Sequence, residues 1–190
     1  MVTRCKWAGI DDLMKDYHDK EWGTPQHDDK MLYELLILEG MQAGLSWNTV
    51  LKKRDNFRKA FDNFNYNKII KYGENKIEEL LQNKEIIRNR LKVQSVVTNA
   101  KCFIEVQKKY GSFDKYIWSF VNYKTIHNSW KKLEEVPSNT DLSDKISKDM
   151  KKKGFKFIGT TIIYAFLQAI GIVNDHTIDC FRYDELVNLT

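Results

Sequence analysis

The nine residues Lys153-Gly154-Phe155-Lys156-Phe157-Ile158-Gly159-Thr160-Thr161 read as a short turn, with glycine near both ends, between two stretches of helical patterning. Upstream, Asp141 or Ser143 can open a helix that runs to Lys153, where Gly154 supplies a C-terminal stop. Downstream, the run GTTIIYAFLQAIG from Gly159 to Gly171 reads as an apolar helix. The three pieces make a helical hairpin. Gly159 has no Cβ, so backbone amides at the start of the second helix can approach an anion closely, and the helix dipole adds to the attraction. Any pair of antiparallel helices can turn on glycine, so the hairpin alone leaves a purely structural reading open.

The flanking chain carries the same helical period. Asp28 can cap a helix with Leu32, Leu35, Leu36 and Ala43, ended by Gly44. Ser46 can cap the next, with Val50, Phe57 and Phe61 on one side, and the stretch from Asn89 to Tyr110 keeps apolar residues in register until Gly111. Ser112 opens a short aromatic helix, and EEVPSNT from Glu134 to Thr140 reads as a crossover loop. The expected architecture is all-α, one domain over 1–190, with a central helical lobe about 28–135 and the two chain ends packed together as the second lobe.

Composition agrees. Of 190 residues 42% are hydrophobic, enough for a substantial core, while 9 Gly and 2 Pro are few for a many-turned sheet protein. No window has the roughly 18 uncharged apolar residues of a membrane span, and MVTRCKWAGIDD lacks the apolar core of a signal peptide, so a cytoplasmic location without membrane contact is expected. Cys5, Cys102 and Cys180 are too few and too scattered for a disulfide framework, which leaves burial or metal ligation. The net charge of +5 matters only where it clusters: at Lys52-Lys53-Arg54 with Arg58, from Arg88 to Lys92, and from Lys148 to Lys156.

Glu39 stands out on its own helix. It follows Leu32 by seven residues, Leu35 by four and Leu36 by three, and so projects from the apolar face. A buried carboxylate needs a partner, which is either a structural Arg or Lys or a ligand that is itself a cation.

From Gly159 to Arg182 the chain resembles the helix-hairpin-helix DNA glycosylase superfamily. Two positions depart from its pattern: Asn174 stands in Val173-Asn174-Asp175-His176 where the superfamily usually has a catalytic Asp, and Thr161 stands where bifunctional members place a Schiff-base lysine. With Arg4-Cys5-Lys6-Trp7, Tyr17 to Gly23, Leu38 to Trp47 (LEGMQAGLSW), Trp118 to Asn122 and Gly154 to Thr161, the resemblance narrows to the bacterial DNA-3-methyladenine glycosylase type I family and spans nearly the whole chain. It implies a two-lobed helix-hairpin-helix fold and a monomer acting on double-stranded alkylated DNA. The implied reaction is release of a flipped 3-methyladenine by hydrolysis of its N-glycosidic bond, without lyase chemistry.

The resemblance also assigns residues. Glu39 hydrogen-bonds the adenine edge and is the residue placed in catalysis; Tyr17 and Trp47, with Trp22 and Trp7, line or stack on the base. Gly154, Lys156, Gly159, Thr160 and Thr161, supported by Lys153, meet DNA. Cys5, His18, His176 and Cys180 hold a structural zinc; the spacing of His176 and Cys180 would put both on one helix face. Cys102 is expected as a buried or half-buried thiol, and His27 and His127 as surface residues.

Overall fold

The computed structural model describes residues 2–9 and 11–189. Among the described residues eleven α-helices run in chain order: α1 (Asp12–Lys20), α2 (Asp29–Gln42), α3 (Trp47–Lys52), α4 (Arg54–Ala60), α5 (Tyr66–Ile69), α6 (Glu74–Gln82), α7 (Arg90–Tyr110), α8 (Phe113–Trp118), α9 (Asp141–Lys152), α10 (Thr160–Ala169) and α11 (Phe181–Leu189). The only strands among the described residues are two-residue segments, β1 (Ile126–His127) and β2 (Val173–Asn174), paired in parallel. The protein is thus helical, as expected, with one short clasp between segments far apart in sequence.

Caps set most of the helix starts. Asp28, Asn89 and Ser112 each accept from a backbone N–H three residues on, as their patterns predict. Thr140, rather than Asp141 or Ser143, caps α9, and Ser143 returns the bond in a capping box. The expected helix from Ser46 is broken at Lys53, whose φ of −101° and ψ of 0° separate α3 from α4.

Helix α2 is buried from Leu32 to Met41 and runs through the centre of the molecule. Helix α10 packs on both α2 and α9. Gly40 makes this approach possible: a Cβ there would lie 3.3 Å from Cβ of Phe157, in the hairpin turn. The main core joins α2, α7, α8 and α10 through residues such as Leu36, Phe103, Trp118 and Phe166. A second apolar cluster unites the chain ends, bringing Cys5, Met14, Tyr17 and Trp22 against Ala169 and Cys180.

Gly171 turns the chain out of α10 toward β2 with φ of +73°, and a Cβ there would come within 2.5 Å of the Thr24–Pro25 backbone. No rotamer can relieve a backbone clash in a left-handed residue. Gly171→Ala is therefore expected to cost about 3 kcal/mol or more, read by denaturant unfolding. A loss below about 1 kcal/mol would mean that the 24–25 loop yields easily.

Candidate base pocket, metal centre and hairpin

A cavity of about 370 Å³ opens between the two apolar clusters. Trp7, Tyr17, Trp22 and Trp47 line it together with Glu39 and Gln42 of α2, Thr161, Tyr164 and Gln168 of α10, and Asp175. The three α10 residues recur at helical spacing and so share one face of that helix. The rim is Leu133, Val136, Pro137 and Ser138, so the segment expected as a crossover loop is a wall of the cavity. The aromatic rings brace one another: Trp7 and Trp22 meet edge to face at 4.8 Å, and Tyr17 and Trp47 lie 5.2 Å apart at 45°.

Glu39 is buried and its Oε2 has no hydrogen-bond partner. The structural salt bridge that could have explained it belongs to Glu34 instead. Buried Arg54 reaches Glu34 at 2.6 Å and Glu21 at 2.8 Å, and Arg58 reaches Glu34 at 2.7 Å. Desolvation without compensation pushes the Glu39 carboxyl up to about 8. Burial, and then the charge of Glu39, likewise raise the Tyr17 hydroxyl well above its ordinary value. Trp7 Nε1 and Trp47 Nε1 are also buried without partners. The cavity thus presents one unpaired acceptor and two unpaired donors among aromatic faces, a setting suited to a flat, cationic heterocycle with polar edges.

The ligand atoms of Cys5, His18, His176 and Cys180 all lie within 4.8 Å of one another, and all four residues are buried. Cys180 Sγ is 3.4 Å from both His18 Nε2 and His176 Nδ1, and Cys5 Sγ is 3.5 Å from His176 Nδ1. Tetrahedral bonds of about 2.0–2.3 Å to zinc would put ligand atoms about 3.5 Å apart, so the group fits such an ion. The outer nitrogens are engaged: His18 Nδ1 meets Asp19, itself gripped by Arg4, and His176 Nε2 meets the Trp22 carbonyl. His176 and Cys180 lie in a turn before α11, not on one helix face; the turn closes through Cys180 N–H to the Thr177 carbonyl.

In the hairpin, Ser147 Oγ donates to the Ile158 carbonyl, and Asn99 of α7 clasps the backbone of Lys156 from both sides. Gly159 precedes α10 with no side-chain cap, so its own side chain claims none of the first amides, which have no partner within the helix. A Cβ on Gly159 would meet nothing within 4 Å. Gly154 follows α9 at φ of +94°. The Thr160 hydroxyl is held by Asp144 and Ser143 rather than presented outward, whereas Thr161 faces the cavity. Lys153 turns inward to Asp149 and over Tyr116. The other two basic clusters are largely absorbed within the fold: Arg54 and Arg58 serve Glu34, Arg90 pairs with Glu74 and Glu78, and Lys92 binds the carbonyls of Met41 and Ala43 at the end of α2.

Four further placements complete the site. Cys102 is half-buried and His27 is exposed against Asp114, as expected. His127 is not a free surface residue: it is partly buried in β1, 3.2 Å from Asn174 Nδ2. Asn174 is fully buried and its Oδ1 accepts from the His176 amide, so it faces away from the cavity, which the neighbouring Asp175 lines.

Residues 7–183 match the profile of the methyladenine glycosylase family. The chain is 48% identical over 180 residues to a DNA-3-methyladenine glycosylase of Haemophilus influenzae, covering 95% of this chain and 97% of that one. It superposes with TM-score 0.92 on a crystal structure of 3-methyladenine DNA glycosylase I, at 46% identity and covering 94% of this chain and 98% of the other. A tyrosine-to-phenylalanine variant of 3-methyladenine DNA glycosylase I in complex with 3-methyladenine superposes equally well, TM-score 0.92 at 34% identity, over 95% of this chain and 97% of that one.

Proposed function

The chain belongs to the methyladenine glycosylase family, and we propose that it excises 3-methyladenine from double-stranded alkylated DNA as a monofunctional hydrolase. The observation that carries this reading is the unpaired, buried Glu39 carboxylate in an aromatic cavity. A base methylated at N3 is a cation, so Glu39 can accept from its edge while supplying the missing counter-charge, and the faces of Tyr17 and Trp47 add roughly 0.5–2 kcal/mol of cation attraction. Neutral adenine gains neither. Trp7 and Trp22 close the stack from the metal side.

The chemistry asks little of the protein beyond this selection. The C1′–N9 bond breaks with its electron pair moving to the base, which leaves neutral; water adds to the resulting oxocarbenium carbon and releases a proton to solvent. No lysine is among the residues lining the cavity, and Thr161 offers no amine to attack C1′, which supports hydrolysis without strand cleavage. Cys5, His18, His176 and Cys180 would hold zinc in a closed tetrahedral shell with no position for water, a structural role. No described helix is long and apolar enough to cross a membrane, which suits a DNA enzyme of the cytoplasm.

Purified protein incubated with methylated duplex DNA is expected to release 3-methyladenine, detected chromatographically, and to leave abasic sites that break only on later alkali treatment. Absence of released base would refute the enzyme reading in favour of a non-catalytic DNA-binding module. Breakage without alkali, in a preparation free of endonuclease, would refute the monofunctional one.

DNA is taken up at the hairpin, where the α10 amides, Gly154, Gly159, Lys156 and the Thr160–Thr161 start of the helix meet phosphate. Because a side chain at Gly159 meets no protein atom, Gly159→Leu should leave stability and free-base binding unchanged while weakening DNA binding about tenfold, with a binding constant that falls steeply in salt for both proteins. Equal loss of free-base and DNA binding would show that the substitution disturbs the fold instead.

A further inference from the structure

Asp175 is 2% exposed, lines the cavity and takes no part in the recognition described above. Its Oδ1 accepts from Asn128 Nδ2 and Trp130 Nε1, both at 2.7 Å, and its Oδ2 accepts from Tyr164 Oη at 2.5 Å and Gln168 Nε2 at 2.7 Å. Four donors on two oxygens make an acceptor-only role that the carboxylate form fills. All four partners are uncharged, so they stabilise the anion and orient it without cancelling its charge. The surroundings hold it still: the segment carrying Asn128 and Trp130 is zipped to the 172–178 segment by Ile126 N–H to Ile172, Asn128 N–H to Asn174 and Ile178 N–H to Trp130. Tyr164 and Gln168 sit one turn apart on α10, the helix whose first turn begins at the hairpin.

We infer that Asp175 is a fixed anion of the cavity wall that stabilises the positive charge appearing on the deoxyribose as the glycosidic bond breaks. This rests on the excision reading above. During cleavage the charge leaves the base and builds on C1′ and O4′, so a preorganised negative charge on the α10 side favours the transition state over the bound substrate. With both oxygens saturated, Asp175 acts through space and neither attacks C1′ nor removes a proton from water. It is therefore a positioning residue for charge, and its effect falls on kcat more than on KM.

The test compares binding of two DNA duplexes, one carrying a protonated pyrrolidine in place of the sugar and one carrying neutral tetrahydrofuran. Wild-type protein is expected to prefer pyrrolidine by about tenfold or more. Asp175→Asn should reduce this preference below about threefold and lower single-turnover base release about 100-fold with KM little changed. Glu39→Gln, which alters the base side of the cavity, should keep the preference within about threefold of wild type. A folded Asp175→Asn protein with the wild-type preference would overturn the inference, and so would loss of the preference in Glu39→Gln, an arm that stands even if Asp175→Asn fails to fold. Wild type that releases base but shows no preference sinks this inference alone, whereas wild type that releases no base sinks the excision reading itself.

Discussion

Glu39→Gln is expected to lower excision of 3-methyladenine by about 100-fold and, at the same time, to make the folded protein more stable above pH 8. Both effects come from one uncompensated carboxylate. Burial raises Glu39 from 4.5 to about 8, so between those values the folded protein holds a proton that the unfolded chain has released. Stability from this residue is therefore fully present below about pH 4.5, declines as pH rises, and is gone above about pH 8; the whole span is on the order of 5 kcal/mol. Glutamine has no such proton. The variant and the wild type should thus differ little at pH 4.5 and diverge steadily toward pH 8, with the variant the more stable. Denaturant unfolding at pH 5 and pH 9 measures this, and parallel pH dependences in the two proteins would disprove it. On the activity side, only the ionised carboxylate pairs with a cationic base, so wild-type kcat/KM should rise with pH up to about 8, and the variant should lack that limb. Binding of uncleaved methylated DNA by the variant as tight as by wild type would remove the charge argument. A site that selects a cation with an unpaired carboxylate must, when empty, either keep that group protonated or carry the cost of the buried anion.

What the sequence revealed of this arrangement was whatever depends on short separations. Asp28, Asn89 and Ser112 act as caps through bonds to the backbone three residues on, and the α2 and α7 patterns need only a helical period, so both were readable. The break at Lys53 was not, because the apolar positions Val50 and Phe57 keep one period across it. Glu39 could be singled out from its register with Leu32, Leu35 and Leu36, but α2 is buried on every side, and only the fold shows that Glu34 receives Arg54 and Arg58 while Glu39 receives nothing. The family pattern drew attention to Asn174 and past Asp175. In an extended segment adjacent residues face opposite sides, so when Asn174 is tied to the backbone and His127, its neighbour is the one turned to the cavity. That signal was present as strand alternation, but the strand itself exists only by pairing Val173–Asn174 with Ile126–His127, a contact made across 47 residues.

Loss of a metal from the Cys/His group should produce the other large effect, because an ion held there would fasten the part of the fold with the least core of its own. The second apolar cluster is small, and it joins residues from both ends of the chain. Zinc held by Cys5, His18, His176 and Cys180 would close a loop of nearly the whole protein. Peptides that fold only on zinc gain roughly 10–16 kcal/mol from it, but here the main core stands without the ion, so a contribution of about 3–5 kcal/mol is the reasonable expectation. For a chain of this length that corresponds to a fall in Tm of about 10 °C for Cys180→Ser or for chelated protein. Activity should fall with it, though the ion touches no substrate. His18 follows Tyr17 directly on α1, and His176 holds the Trp22 carbonyl at 3.0 Å, so an ion bound to both histidines would fix two aromatic residues of the cavity through their backbones. Elemental analysis should find about one zinc per chain in wild type and less in Cys180→Ser. Zinc-free protein with an unchanged Tm would abolish the structural role, and turnover that requires zinc in a protein still fully folded without it would move the ion into the chemistry.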